Sequence, residues 1–118
     1  MSIKDNILNI KEEISDQVKL VAVSKTRSIG EIKEAYNSNQ KIFGENRVQE
    51  IVEKHQLLPD DIEWHMIGHL QKNKVKYISN FISLIHSLDR ISLATEIDKC
   101  AKKSNRKIDC LIQIKISS

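Results

Sequence analysis

The chain has 118 residues, near the common size of one domain, and its 40% apolar and 30% charged residues exclude disordered and fibrous classes. Three Gly and one Pro are too few for the turns of a β-sandwich, and aromatics at 4% leave the core to Ile, Leu and Val. The net charge of +3, from 19 basic and 16 acidic residues, is too mild to call for a nucleic-acid partner.

No apolar run approaches the roughly 18 to 20 residues of a membrane span. Met1 to Lys11 carries charges of both signs and lacks the apolar stretch of a signal peptide. A cytoplasmic protein without a membrane partner is expected. Cys100 and Cys110 suit reduced, packed thiols better than a disulfide framework or a zinc site.

Ile3, Ile7, Ile10 and Ile14 form one stripe of an amphipathic helix over 3–14. Val18 to Val23 is β-branched and predicts a largely buried strand. Ser28 and Glu31 have the spacing of a capping box, so a helix starts there, with Ile29, Ile32, Ala35 and Tyr36 on its stripe. The polar stretch Asn37 to Gln40 ends it. A short strand, Lys41 to Phe43, then closes on Gly44. The next helix places Val48, Ile51, Val52 and His55 on one face, and Leu57 to Asp61 is a turn.

Ile62 to Ile67 reads as a strand closed by Gly68. Val75, Ile78 and Phe81 mark a further helix, and Leu84 to Leu88 a strand. Asp89 is placed to cap a helix with Ile91, Ala94, Ile97 and Ala101 on its stripe, flanked by Leu93 and Cys100. Ile108 to Ile116 is a strongly apolar strand. The order is α, then βα four times, then β, which implies a parallel α/β sheet. Two architectures fit it: an open doubly wound sheet, or the N-terminal portion of a TIM-type (β/α)8 barrel with five strands and an extra N-terminal helix. The turn Ser24 to Ser28 has no Gly, so it is neither a dinucleotide fingerprint nor a P-loop. That, and a sequence that stops at a strand with no helix to cover it, favours the barrel portion, making 1–118 a single partial domain.

In parallel α/β folds ligands bind at the carboxyl ends of the strands. Ser24 and Lys25 fall there, as do Gly44, Glu45 and Asn46. So do His65, Gly68 and His69, then His86, Ser87 and Lys115. A lysine at the mouth of a buried strand is partly desolvated, which lowers its pKa, and a neutral amine can form a Schiff base with an aldehyde. Position alone equally allows a Lys25 that reaches solvent. His65 and His69 are four apart but lack the Glu of a zincin helix, so no metal is expected. Lys72, Lys74 and Lys76 form one basic cluster, and Lys102, Lys103, Arg106 and Lys107 another. Without interleaved aromatics, both read as solvated helix faces. Trp64 and Tyr77 read as packing residues, and His55 needs no function.

Four segments carry a resemblance. Val21-Ala-Val-Ser-Lys-Thr26, Phe43-Gly-Glu-Asn-Arg-Val-Gln-Glu50, Trp64-His-Met-Ile-Gly-His-Leu-Gln71 with Asn73-Lys-Val75, and His86-Ser-Leu-Asp-Arg90 occur in order across nearly the whole chain. They resemble the pyridoxal phosphate homeostasis protein family, itself similar to the N-terminal barrel domain of alanine racemase. The resemblance implies a TIM-type barrel with an extra N-terminal helix. It implies that Lys25 holds pyridoxal 5′-phosphate as a Schiff base, and that the protein is cytoplasmic and stores or delivers the cofactor. Amino-acid and keto-acid balance follow from that role, apo-enzymes that need the cofactor would be recipients, and no turnover is established for the family. Asn46 and His65 are candidates for the pocket wall by strand-end position. The groups for phosphate and ring nitrogen lie in the family's second barrel half.

Three positions depart from the family pattern: Lys115 stands where Asn is usual, Asn39 where Gly is usual, and Lys72 where a small residue is common. Eight barrel strands need about twice this length. Five strands leave two open edges and an uncovered apolar face, so self-association is expected. The competing readings are an enzyme of alanine-racemase type, whose opposite-face base comes from another domain, and a truncated fragment without function. A third, an interaction module working through the basic clusters, would need a steep salt dependence.

Overall fold

A computed structural model describes residues 2–114. Helix α1 (Ile3–Glu13) starts at Ser2, whose hydroxyl accepts from the Asp5 amide. Strand β1 is only Ala22–Val23. The expected capping box at α2 (Ile29–Asn37) has both of its bonds, Glu31 N–H to Ser28 Oγ and Ser28 N–H to the Glu31 carboxylate. Asn39 follows with φ of 69°, a left-handed residue where glycine is the usual choice and Asn the best tolerated substitute. That accounts for the departure from Gly there.

Strand β2 (Ile42–Glu45), helix α3 (Val48–Leu57) and strand β3 (Glu63–Met66) follow. Gly44 lies inside β2 rather than ending it. The unit after β3 has no α-helix around Val75 and Ile78. A 3-10 helix, Lys72–Tyr77, does its work, burying Val75 and, just beyond it, Ile78. Strand β4 (Leu84–Leu88), helix α4 (Ile91–Lys103) and strand β5 (Asp109–Ile112) complete the described order.

All five strands are parallel and lie in the order β1-β2-β3-β4-β5. A doubly wound sheet would reverse its order at a switch point. Sequential order without reversal is the winding of a TIM-type barrel, and it decides between the two architectures. Register sets the faces. Ala22, Phe43 and Trp64 align on one, as do Glu45, Met66 and Ile85. That outer face meets the helices through Ile32, Ile51, Val75, Leu93 and Ile97 in one core. Val23, Gly44, His65 and Leu84 align on the opposite, inner face.

The expected burial of residues 18–23 is corrected: Val18 and Val23 are 54% and 53% exposed. β1 is an edge strand of the described sheet, and its inner-face residue Val23 is left open. β5 is the other edge, and Leu111 and Ile112 are exposed there too. The stripe of α4 also shifts. Ile91 is exposed while Leu93, Ile97, Cys100 and Ala101 face the core. Asp89 does not cap α4: Arg90 is the N-cap, with no side-chain bond, and Asp89 pairs with the Arg90 guanidinium. Both cysteines are free thiols. Lys115 and the end of the last expected strand lie outside the described residues.

Candidate functional site

The carboxyl ends of β1 to β4 form one rim, and Lys25 sits on it. It follows β1 by two residues, in a turn that the Arg27 amide closes on the Ser24 carbonyl at 3.0 Å. Lys25 and Asn46 each lie two residues beyond the Val23–Gly44 pair. The desolvation expected of Lys25 is not found: its side chain is exposed, because β1 is the edge of the described sheet. Among the described residues its amine makes no hydrogen bond or ion pair.

The backbone around Lys25, by contrast, is tightly held. Ser24 N–H donates to the Gly44 carbonyl at 3.0 Å, and the Ser24 hydroxyl donates to Glu45 Oε2. Lys54 reaches up from α3 and donates to the Ser24 carbonyl at 2.8 Å, to Glu45 Oε2 at 2.7 Å and to Glu50 Oε2 at 3.0 Å. All three ammonium protons are thereby used. Glu50 Oε2 also accepts the Thr26 amide at 3.2 Å. Thr26 has φ of 62°, costly for a β-branched residue and kept only where its surroundings over-determine it.

The Glu45 side chain is fully buried and that of Lys54 is 9% exposed. Burial pushes the Glu45 carboxyl up, against the pull of the Lys54 and Ser24 hydrogen bonds. The Lys54 hydrogen bond holds the less buried Glu50 below the usual carboxylate range.

His65 lies beside Gly44 across the strand pair, and its Nδ1 is 3.1 Å from His86 Nε2. Burial lowers the pKa of both, and for His65 the charge of His86 adds to it. One ring therefore donates to the other as neutral imidazole near pH 7. Gly44 lets the inner face close: a Cβ there would lie 3.1 Å from Ile67 and 3.2 Å from Val21. Gly68 lets the end of β3 pass Asn46, whose carbonyl oxygen would be 2.7 Å from an added Cβ.

Asn46 is half-buried and also borders a separate groove with Arg47, His69, Lys74 and Tyr77. The structure thus gathers Lys25, Asn46, His65 and His86 at one end of the sheet and sends His69 to the outer groove. Ser87 is buried. In the second basic cluster Arg106 is structural, donating to the carbonyls of Ser79 and Ile82. Tyr77 is not a packing residue but an exposed ring between Lys74 and Lys76, whereas Trp64 is fully buried.

Lys54 is what sequence reasoning missed. Its one signal is Glu50 at i−4, and such a pair on a helix normally reads as an exposed ion pair.

Three comparisons bear on this geometry. The model of the alanine racemase N-terminal domain family matches residues 1–117. A pyridoxal phosphate homeostasis protein of Aquifex aeolicus is 52% identical over 99 residues, 83% of this chain and 43% of that protein. The protein of the same name from Pasteurella multocida is 37% identical, with 99% of this chain and 56% of its own length matched. Among solved structures, PipY of Synechococcus elongatus superposes with a TM-score of 0.92 at 35% identity, over 99% of this chain and 55% of PipY. PipY with pyridoxal phosphate bound superposes at 0.91, over 98% and 56%. The chain spans about half the length of the curated relatives it matches.

Proposed function

Because this chain belongs to the alanine racemase N-terminal domain family, we propose that it binds pyridoxal 5′-phosphate for intracellular cofactor homeostasis, with Lys25 as the Schiff-base lysine. The observation that carries this reading is the placement of Lys25. It is an exposed primary amine without a partner among the described residues, in the turn just beyond the carboxyl end of β1. That end of a barrel strand is where ligands bind.

The residues present fit the group in part. When bound, the cofactor supplies an aldehyde carbon, which a primary amine takes up with loss of water. Lys25 provides that amine. Asn46 and His65 provide a polar wall, with His65 held neutral by burial beside His86. A phosphate needs backbone N–H groups and hydroxyls, which in TIM-type barrels lie near strands 7 and 8. The described sheet has five strands.

The relatives are named for homeostasis, not for a reaction. On this reading the chain carries the cofactor without turning over a substrate, in the cytoplasm. It serves apo-enzymes that need the cofactor, and so amino-acid and keto-acid balance. On its own the chain self-associates through the open sheet edges, β1 and β5, where Val23, Leu111 and Ile112 are exposed.

The test is direct. The purified chain is mixed with pyridoxal phosphate, reduced with borohydride, and the modified lysine mapped by mass spectrometry beside Lys25→Ala. A single adduct at Lys25, lost in the variant, is expected. Adducts scattered over many lysines, or none, would refute the assignment. Sedimentation across a concentration series tests self-association, which a monomer at all concentrations would contradict.

A further inference from the structure

We propose that Glu50 and Lys54 are positioning residues: a clamp from α3 that fixes the peptide units on both sides of Lys25 and so aims its amine. The inference rests on Lys25 being the cofactor lysine. It is drawn from where the bonds land. Lys54 donates to the carbonyl of Ser24, the residue before Lys25. Glu50 accepts from the amide of Thr26, the residue after it. The two clamp residues are joined by their own ion pair at 3.0 Å, one helical turn apart.

Packing alone does not call for this arrangement. A buried ion pair is a weak source of stability, and apolar residues of similar size often do as well. Here the clamp spends a nearly buried ammonium and holds Thr26 at a positive φ. In return the Lys25 Cα is fixed from both directions. A lysine side chain has four rotatable bonds, so fixing its root narrows the volume its amine sweeps, and orientation of a reacting group is a large part of rate and affinity. Glu45 anchors the clamp from below: it is fully buried and takes bonds from both Lys54 and Ser24. The amine itself is left without a partner among the described residues.

The experiment compares Glu50→Ala and Glu50→Gln in the full chain. The Glu50 side chain is 27% exposed, and unfolding midpoints verify that both variants fold. Two quantities are read: hydrogen exchange of the Thr26 amide, and the fraction of borohydride-trapped pyridoxal phosphate at Lys25 under sub-saturating cofactor. Glu50→Ala removes the acceptor. Thr26 protection should be lost, and trapping at Lys25 should fall about tenfold, the factor equivalent to one charge-assisted hydrogen bond. Glu50→Gln keeps an oxygen that accepts the Thr26 amide and should restore most of both.

Wild-type exchange and trapping in Glu50→Ala would overturn the clamp. So would a Glu50→Gln variant no better than Glu50→Ala, since charge and not the Thr26 bond would then be the cause. Failure of the cofactor assignment looks different. Wild-type adducts would scatter over exposed lysines while Thr26 exchange still depended on Glu50, and the aiming role would fall with the assignment.

Discussion

Replacing Lys54 by Met tests the electrostatics beneath the rim. Glu45 is fully buried, and among the described residues Lys54 is its one cationic partner. Without Lys54, the Ser24 hydroxyl is its remaining donor. Removing one partner of a buried ion pair costs about 3–5 kcal/mol. The carboxyl can escape that penalty by taking a proton, and burial already pushes its pKa above the ordinary 4.5. A carboxyl whose pKa is raised on folding contributes stability that is fully present below its unfolded value and is lost as pH rises through its folded value. In Lys54→Met the folded value rises further. The deficit relative to wild type should therefore be largest at pH 8 and shrink toward pH 5. It should shrink by at most about 1.4 kcal/mol per pH unit, where the variant's folded Glu45 holds a proton that wild type and the unfolded chain do not. Urea unfolding at fixed protein concentration measures this, and the difference between the two proteins cancels the histidines. Adding Glu45→Gln to Lys54→Met should recover part of the loss at pH 8 and remove its pH dependence. A deficit below about 1 kcal/mol, against the range for a broken buried pair, or one equal at pH 5 and 8, would mean that Lys54 does not neutralise a buried Glu45 carboxylate.

Four further outcomes are expected. The folded pKa of His65 and of His86 is lowered from 6.5, so the stability each contributes is present above that value and is lost as pH falls below it. Wild type should therefore lose stability relative to His86→Gln between pH 7.5 and 5.5, and parallel unfolding curves would contradict this. Gly68→Ala, with its new carbon 2.7 Å from the Asn46 carbonyl, should cost about 1–3 kcal/mol. Gly30→Ala in α2, with nothing nearer than 3.9 Å, should instead gain about 0.5–1 kcal/mol in the same assay. Asn39→Val should lower the thermal midpoint while Asn39→Gly should not, because φ there is 69° and a β-branched residue at positive φ is disfavoured. Equal midpoints for the two variants would contradict that reading.

Much of the molecule was legible because its signals are local. The capping box at Ser28 and Glu31, the isoleucine stripe of α1 and the β-α alternation depend on neighbours within a few residues. They gave the element order and placed Lys25, Asn46 and His65 at strand ends. The departure at Asn39 also follows from one residue's own backbone preference. Local pattern failed where a face had to be chosen. On α4 both Ile91 and Leu93 are apolar, and only the sheet beneath the helix selects Leu93. On β1 a β-branched run reads as buried, yet an edge strand with an open inner face leaves Val23 exposed.

Local pattern along the chain was enough for the parallel α/β class, the family resemblance and the position of Lys25 after the first strand. Tertiary structure alone decided the strand order, the exposure of Lys25 and the burial of Lys54 against Glu45. These last depend on contacts between residues 9 to 30 positions apart. Hydrophobic periodicity records which side of an element avoids water. It carries no record of which distant group a buried charge will meet, because that pairing exists only once the sheet has assembled.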